Sequence, residues 1–152
     1  AIIGLAEIEN DTVLKDLIAS KHLCDYNYSF IHYDSLDERG IDVALLYDPT
    51  CFKVTNSETF SIQLTNEEGL PDYTRDILLV TGFLEDEEIQ LVVNHWSSRR
   101  EGENETEFKR IAASNKVTEI IDALKAKNKN AKIMVIGDFN DDPTNIKTPP
   151  KA

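Results

Sequence analysis

Two charged residues in the first third of the sequence are of a type that suits phosphate chemistry. Glu7 directly follows the apolar run 1–6. Its carboxylate could bind Mg2+, which takes one or two protein carboxylates and keeps several waters. The same carboxylate could instead simply favour the N-terminus of a following helix. Arg39 precedes the apolar segment 41–47. Its planar guanidinium suits phosphate oxygens, although a surface ion pair is the commoner outcome for a single arginine.

The third candidate is His95, which follows the apolar run 91–93. Of the three histidines, it is the one that ends a strand predicted to be buried. At that place an imidazole could donate a hydrogen bond to a phosphate oxygen, or protonate a leaving group near neutral pH. Alternatively, His95 could be a structural histidine at the edge of the core, with its ring nitrogens hydrogen-bonded to backbone groups. The sequence is equally compatible with both roles.

The fourth candidate is the segment 137–143, which follows the apolar run 132–136. Asp138 and Asn140 are two residues apart, so in an extended segment they point to the same side, with Phe139 facing the core. A carboxylate beside an amide can orient and activate a water molecule, and Gly137 permits a close backbone approach. The alternative is a polar turn at the end of a strand, where such residues are common.

The elements that must position these residues are predicted to be mostly strands. Apolar and aromatic patterning predicts strands over 1–6, 26–33, 41–47 and 132–136, one or two weaker strands within 52–64, and a hairpin of 77–84 with 89–96 around the acidic turn 85–88. Asn10 or Asp11 is predicted to cap a short helix. A long amphipathic helix is predicted over 105–127, with an apolar face formed by Phe108, Ile111, Ala112, Ile120, Ile121 and Leu124. We therefore predict an α+β fold, a mixed α/β sandwich of two packed, mostly antiparallel sheets with helices on the outer faces.

The composition limits the class of protein. The 152 residues carry a formal net charge of −12 and are 41% hydrophobic, which excludes a disordered polymer and predicts one compact domain. Its acidity argues against a broad basic surface for nucleic acid, although a bound divalent cation can reverse the local sign. The longest apolar runs are too short to span a membrane. Cys24 and Cys51 are expected to be two buried thiols or one disulfide.

Together the four segments resemble the endonuclease/exonuclease/phosphatase superfamily, the metal-dependent group with the deoxyribonuclease-I-like fold. Leu5-Ala6-Glu7, the segment 39–44, the segment 94–99 and the segment 137–141 occur in the family's order. The resemblance implies a metal-binding role for Glu7 with Mg2+, or with Mn2+ in its place. It also implies that Arg39 contacts the phosphate, that His95 assists the leaving group, and that Asp138 and Asn140 align the attacking water.

The resemblance implies a hydrolase of phosphate esters, with nuclease, phosphodiesterase and phosphatase activities all compatible with these motifs. The substrate class therefore spans nucleic acid, lipid and small-molecule phosphates. Three features depart from the family pattern: Ala6 replaces a common glutamine, no strand with an asparagine precedes the Glu7 motif, and no histidine follows Asn140. We therefore expect residues 1–143 to be a partial catalytic domain that lacks N- and C-terminal strands, and residues 144–152 to be a Pro/Lys-rich tail.

Two further expectations follow from that partial domain. Residues 1–152 alone should be poorly active, and exposed sheet edges could allow self-association. The alternative function is a non-catalytic interaction module on the same sandwich. No signal peptide is visible, and the sequence does not indicate a compartment.

Overall fold

A computed structural model of the chain describes residues 1–66, 68–100 and 102–142. Within these residues the chain forms nine strands and two helices. The strands are β1 (Ile2–Ile8), β2 (Ser29–His32), β3 (Asp42–Tyr47), β4 (Phe52–Phe60), β5 (Leu64–Thr65), β6 (Pro71–Asp72), β7 (Ile77–Leu84), β8 (Glu87–His95) and β9 (Lys132–Asp138). The helices are α1 (Asp11–Ala19) and α2 (Glu107–Lys127). The predicted tail 144–152 lies outside the described residues.

The strands form two main sheets. The first sheet has the order β1-β3-β2 and is antiparallel throughout. The second sheet has the order β4-β7-β8-β9, in which β9 alone runs parallel to its neighbour. This parallel pair is possible because α2 carries the chain back across the sheet between β8 and β9. A small third sheet pairs β5 with β6.

The two main sheets pack face to face, with one helix on each outer face. Between the sheets, Val43 and Leu45 of the first sheet meet Leu78 and Leu91 of the second. Leu14 of α1 packs with Ile8 and Ala44 on the outer face of the first sheet. Residues of α2 cover the outer face of the second sheet. The predicted sandwich of two sheets with outer helices is therefore confirmed.

The beginning of α1 and the packing of α2 have identifiable causes. The Asn10 side chain accepts hydrogen bonds from the backbone N–H groups of Thr12 and Val13, which confirms the predicted cap of α1. In α2, Ala113, Val117 and Ile120 are buried against the second sheet. Neither helix in the described part of the chain is long and apolar enough to cross a membrane.

The apolar face of α2 was predicted incorrectly at its beginning. Phe108 and Ile111 are 48% and 51% exposed, and the inward position in this turn is taken by Arg110. The buried stripe therefore starts at Arg110, two positions after the predicted first residue Phe108. An arginine can occupy its first place because Thr106 Oγ1, the Glu103 carbonyl and the Asp141 carboxylate accept hydrogen bonds from the guanidinium.

Two other predictions were wrong in part. The strand predicted over 26–33 is limited to Ser29–His32, and Tyr26 is 63% exposed. Cys24 and Cys51 are both exposed and free, not buried or joined. Both cysteines lie in turns at the surface, so their side chains cannot pack into the hydrophobic core.

Candidate active site

The parallel pairing of β8 with β9 brings two of the predicted site residues together. In this register His95 lies opposite Asp138, and Asn94 lies opposite Gly137. Gly137 has a φ of 133°, and a Cβ atom there would lie only 1.9 Å from the Asn94 carbonyl oxygen. Only glycine fits this approach. The predicted close backbone approach at Gly137 is thus confirmed.

Glu7 lies on a β-bulge at the end of β1. The register between β1 and β3 shifts between Leu5 and Ile8, and Glu7 has a φ of 61°. A left-handed conformation is uncommon for a residue other than glycine, and bulges often redirect a side chain next to a site. The Glu7 side chain is exposed, and β1 packs against both β8 and β9.

The electrostatic surroundings of His95 connect the residues predicted for the site. His95 is buried, and this burial lowers the pKa of its imidazole below the usual range. The positive charge of Arg75 lowers the pKa further, with Arg39 acting in the same direction. The negative charges of Asp138 and Glu7 act in the opposite direction. All four charged groups are therefore close enough to His95 to affect its protonation.

One nitrogen of His95 is left unsatisfied. Its Nδ1 atom is buried and has no hydrogen-bond partner among the residues that the structure describes. Because its pKa is lowered, the imidazole is neutral at neutral pH and carries one N–H donor and one acceptor nitrogen. The ring can thus present a hydrogen-bonding group without carrying a positive charge.

Arg75 holds the backbone at His95 and was missed by the sequence analysis. Its Nε atom donates to the His95 carbonyl at 3.2 Å, and its Nη2 atom donates to the Trp96 carbonyl at 2.7 Å. Its Nη1 atom forms a salt bridge of 3.0 Å with Asp37, and both side chains are buried. The pair joins residues far apart in sequence, so local patterns carry no signal for it.

Asp37 in turn shapes the loop that carries Arg39. Its Oδ1 atom accepts a hydrogen bond of 3.2 Å from the Arg39 backbone N–H. Arg39 itself is exposed and lines a cleft of about 240 Å³. The side chains of Ser97, Ser98 and Arg100, which follow β8, line the same cleft. The cleft thus combines guanidinium and hydroxyl donors near the end of the strand that carries His95.

Asp138 and Asn140 are linked, but not by extended backbone as predicted. Asn140 has a φ of 48°, so the chain turns after β9. The Asn140 backbone N–H donates to Asp138 Oδ1 at 2.9 Å, and the Asn140 Nδ2 atom donates to the Trp96 carbonyl at 2.9 Å. The ring of Phe139 packs edge-on against Trp96, with the centroids 4.9 Å apart. The turn fixes both polar side chains beside the end of β8.

Two further arginines, Arg99 and Arg110, anchor this turn. Arg99 Nε donates to the Asn140 carbonyl at 2.9 Å, and its guanidinium also binds the Asp141 carboxylate. Arg110, which is buried at the start of α2, donates to the same carboxylate at 3.2 Å. The sequence did carry a signal here, since Arg110 falls at helical spacing with Ala113 and Val117. A charge within an apolar stripe indicates that the buried charge is paired.

The predicted site residues are therefore distributed along one end of the sandwich. Glu7 is the penultimate residue of β1, His95 ends β8, and Asp138 ends β9, while Arg39 lies in the loop before β3. Glu7 and Asp138 are exposed carboxylates that both influence the same imidazole. Their oxygen atoms are the donors that Mg2+ prefers. The donor set fits a hard divalent cation held partly by water.

The fold and site define a four-layer sandwich, helix–sheet–sheet–helix, with carboxylate, imidazole and guanidinium groups at one end. The chain belongs to the Endonuclease/Exonuclease/phosphatase family, whose model matches residues 1–150. The resemblance inferred from the four motifs is thus confirmed. No curated protein sequence matches the chain.

Solved structures share this fold. TDP2 from Caenorhabditis elegans is 19% identical with a TM-score of 0.68, and the match covers 98% of this chain and 40% of that one. The human Nocturnin catalytic domain, with a bound sulfate anion, is 18% identical with a TM-score of 0.64, covering 94% and 52%. A mannosyl-6-phosphatase from Bacteroides thetaiotaomicron is 21% identical with a TM-score of 0.64, covering 94% and 52%. The chain spans about half the length of these proteins or less.

Proposed function

We propose that this chain carries the catalytic residues of a Mg2+-dependent hydrolase of phosphate esters. The observation that carries the proposal is the register of β8 and β9, which sets His95 beside Asp138. Glu7 and Arg39 lie within electrostatic range of the same imidazole. Such a cluster of carboxylate, imidazole and guanidinium groups suits attack of water on a phosphoryl centre.

Each residue has a distinct role in this proposal. Asp138 accepts a proton from the attacking water, and Asn140 orients that water through its side-chain oxygen, since its amide nitrogen already bonds to Trp96. His95 is neutral and donates a hydrogen bond to a phosphoryl oxygen or to the leaving group. Arg39 contacts the phosphate from the side of the 240 Å³ cleft.

Glu7 is the residue that would hold Mg2+, with the Asp138 carboxylate nearby. When bound, the ion would offset negative charge on the phosphoryl oxygens. Mn2+ could replace Mg2+, because carboxylate and water ligands suit both ions. The strained φ of 61° at Glu7 supports this assignment, since such strain is retained where a side chain must be aimed at a site.

The substrate is proposed only as a class, an ester of phosphate. The similar solved structures include a sugar phosphatase and a protein that holds a sulfate anion, which has the shape and charge of phosphate. We propose that the cleft lined by Arg39, Ser97, Ser98 and Arg100 receives the phosphate-bearing part of the substrate. Nucleic acid, lipid and small-molecule esters all present this group.

The metal assignment is tested by calorimetric titration with Mg2+ and Mn2+. Binding should weaken in Glu7→Gln and remain unchanged in Glu9→Gln. Glu9 is a matched control because it is exposed, carries the same charge and lies two residues away. Equal binding by wild type and Glu7→Gln would remove Glu7 from the site.

The activity is tested with an aryl phosphodiester and an aryl phosphomonoester in the presence of Mg2+. The assay uses the 152-residue chain and, where the encoding reading frame continues, the extended protein. The 152-residue chain alone should turn over substrate poorly. In the extended protein, turnover should be lost in Asp138→Asn and kept in Asp86→Asn, an exposed aspartate in the β7–β8 turn. Turnover that survives Asp138→Asn would refute the assigned roles. Complete inactivity of the extended protein would instead favour a non-catalytic interaction module.

A further inference from the structure

A second histidine, His32, ends a strand in a polar and buried setting. It closes β2, where it pairs with Ala44 of β3, and its side chain is only 2% exposed. The sequence did not single out His32, because β2 is a short strand that is only half-buried. Three carboxylates surround His32: Asp11 at the start of α1, Asp34 in the following loop, and Asp42 at the start of β3.

The two nitrogens of the His32 ring have different partners. Nδ1 lies 2.8 Å from Asp11 Oδ1. A carboxylate accepts hydrogen bonds, so Nδ1 is the donor in this contact, and a ring with one proton would leave the lone pair on Nε2 for a metal ion. Nε2 is buried and has no hydrogen-bond partner in the described part of the chain. It faces Asp42 Oδ2, another acceptor, at 3.5 Å.

This separation fits a shared metal ion better than a shared proton. An N–H···O hydrogen bond normally spans about 2.7–3.2 Å. Two ligands bound to one tetrahedral Zn2+ at bond lengths near 2.0–2.2 Å lie about 3.4 Å apart. Ligand atoms of His32, Asp34 and Asp42 all lie within 4.8 Å of one another. Asp34 is exposed, so its carboxylate can rotate inward to complete the set.

The surrounding hydrogen bonds also match those of a metal site. Histidine ligands commonly donate their other ring N–H to a carboxylate, which fixes the ring and makes the ligand nitrogen more basic. The bond from His32 to Asp11 has this arrangement. Asp42 is oriented in a similar way, because its Oδ1 atom accepts a hydrogen bond of 3.0 Å from the Ser35 backbone N–H.

We propose that His32, Asp34 and Asp42 form a binding site for a divalent transition-metal ion such as Zn2+, separate from the Mg2+ site proposed at Glu7. An imidazole nitrogen among carboxylates favours Zn2+ over Mg2+, which prefers oxygen ligands alone. The ion would tie the end of β2 to the start of β3, and thereby hold the loop that carries Asp37 and Arg39. This inference goes beyond the proposed hydrolase function and does not depend on it.

The test is equilibrium dialysis of the chain against Zn2+ with millimolar Mg2+ present, followed by metal analysis. Loss of the Asp11 carboxylate in Asp11→Asn should lower the Zn2+ affinity by about 10–100-fold. His32→Gln should lower it at least as much. His22→Gln, at an exposed histidine, and Glu7→Gln should leave it unchanged. Zn2+ binding that survives His32→Gln, or that is lost in Glu7→Gln, would overturn the proposal.

Two further measurements keep the test independent of folding defects in buried variants. Asp34→Asn changes an exposed residue, so it should preserve the circular dichroism spectrum while weakening Zn2+ binding. In wild type, long-range 1H–15N spectra should show His32 protonated at Nδ1, with the Nε2 resonance shifted by Zn2+. A doubly protonated ring that does not respond to Zn2+ would show an ion pair with Asp11 and Asp42, and would refute the metal site.

Discussion

Replacing Arg75 with methionine should be among the most destabilising single changes in this chain. Arg75 and Asp37 form a salt bridge of 3.0 Å with side chains only 6% and 4% exposed. Removing one partner of such a pair leaves the other charge buried and uncompensated, which costs about 3–5 kcal/mol. The carbonyls of His95 and Trp96 would also lose a donor. A loss of this size is a large fraction of a total stability of about 5–15 kcal/mol.

The loss can be assigned to the charge by a double-mutant cycle. Asp37→Asn keeps an oxygen that can accept from the Arg39 backbone N–H, while it removes the charge. The variant with both Arg75→Met and Asp37→Asn should therefore be more stable than Arg75→Met alone. Arg100→Met is the matched control, since Arg100 lines the 240 Å³ cleft together with Arg75 but is exposed. This variant should change the free energy of unfolding by less than about 0.5 kcal/mol.

The assay is urea unfolding followed by fluorescence of Trp96, the single tryptophan of the chain. Its carbonyl is bound by Arg75, so the probe lies at the perturbed position. Because the midpoint of a chain of this size shifts by about 2–4 °C per kcal/mol, thermal melting should show a fall of roughly 10 °C. A cost below about 1 kcal/mol for Arg75→Met, or a double variant less stable than it, would refute this account.

Three more predictions concern the site and its strained backbone. Because burial lowers the pKa of His95, the unfolded chain binds more protons below about pH 6.5, so the free energy of unfolding should fall on acidification. Urea unfolding at about pH 7.5 and 5.5 should show a smaller fall in His95→Gln, and an equal fall would contradict the pKa shift. At Glu7, where φ is 61°, Glu7→Gly should be about 1 kcal/mol more stable than Glu7→Ala; the reverse order in thermal melting would argue against the bulge. Gly137→Ala should cost about 3 kcal/mol or more, since its Cβ would meet the Asn94 carbonyl, whereas Gly69→Ala, with open space around it, should cost only about 1 kcal/mol in the same assay. Similar costs at the two glycines would contradict the close approach of β8 and β9.

Local patterns were sufficient to predict most of the elements. The strand β3 (Asp42–Tyr47) is buried on both faces at its first five positions, and the apolar run 41–47 predicts this directly. The cap at Asn10 also follows from local chemistry, since side chain and backbone partners are two and three residues apart. The β7–β8 hairpin was predicted with its turn two residues too long, because Glu87 and Glu88 already belong to β8. Their polar side chains do not indicate a strand.

Pairing over long distances could not be predicted in the same way. The bulge at Glu7 depends on the register of β1 against β3, and periodicity within β1 carries no information about it. The partners of Arg75 and His32 lie in other elements, so neither residue stood out in the sequence. The order of the family motifs indicated which residues belong to one site. It did not indicate the turn at Asn140, which only the described structure reveals.

The parallel attachment of β9 has a consequence for the lifetime of the site. In the described sheet β9 hydrogen-bonds to β8 alone, whereas β8 is also held by β7 through a hairpin with a short turn. A sub-global opening that releases β9 would carry Asp138 and Asn140 away from His95 while the hairpin stays folded. Backbone amides of β9 would then exchange with solvent through a lower free-energy opening than those of β7. A molecule bound to both β8 and β9 would stabilise the closed form by mass action, and so reduce this difference in opening free energy. Ligand binding would therefore slow amide exchange in β9.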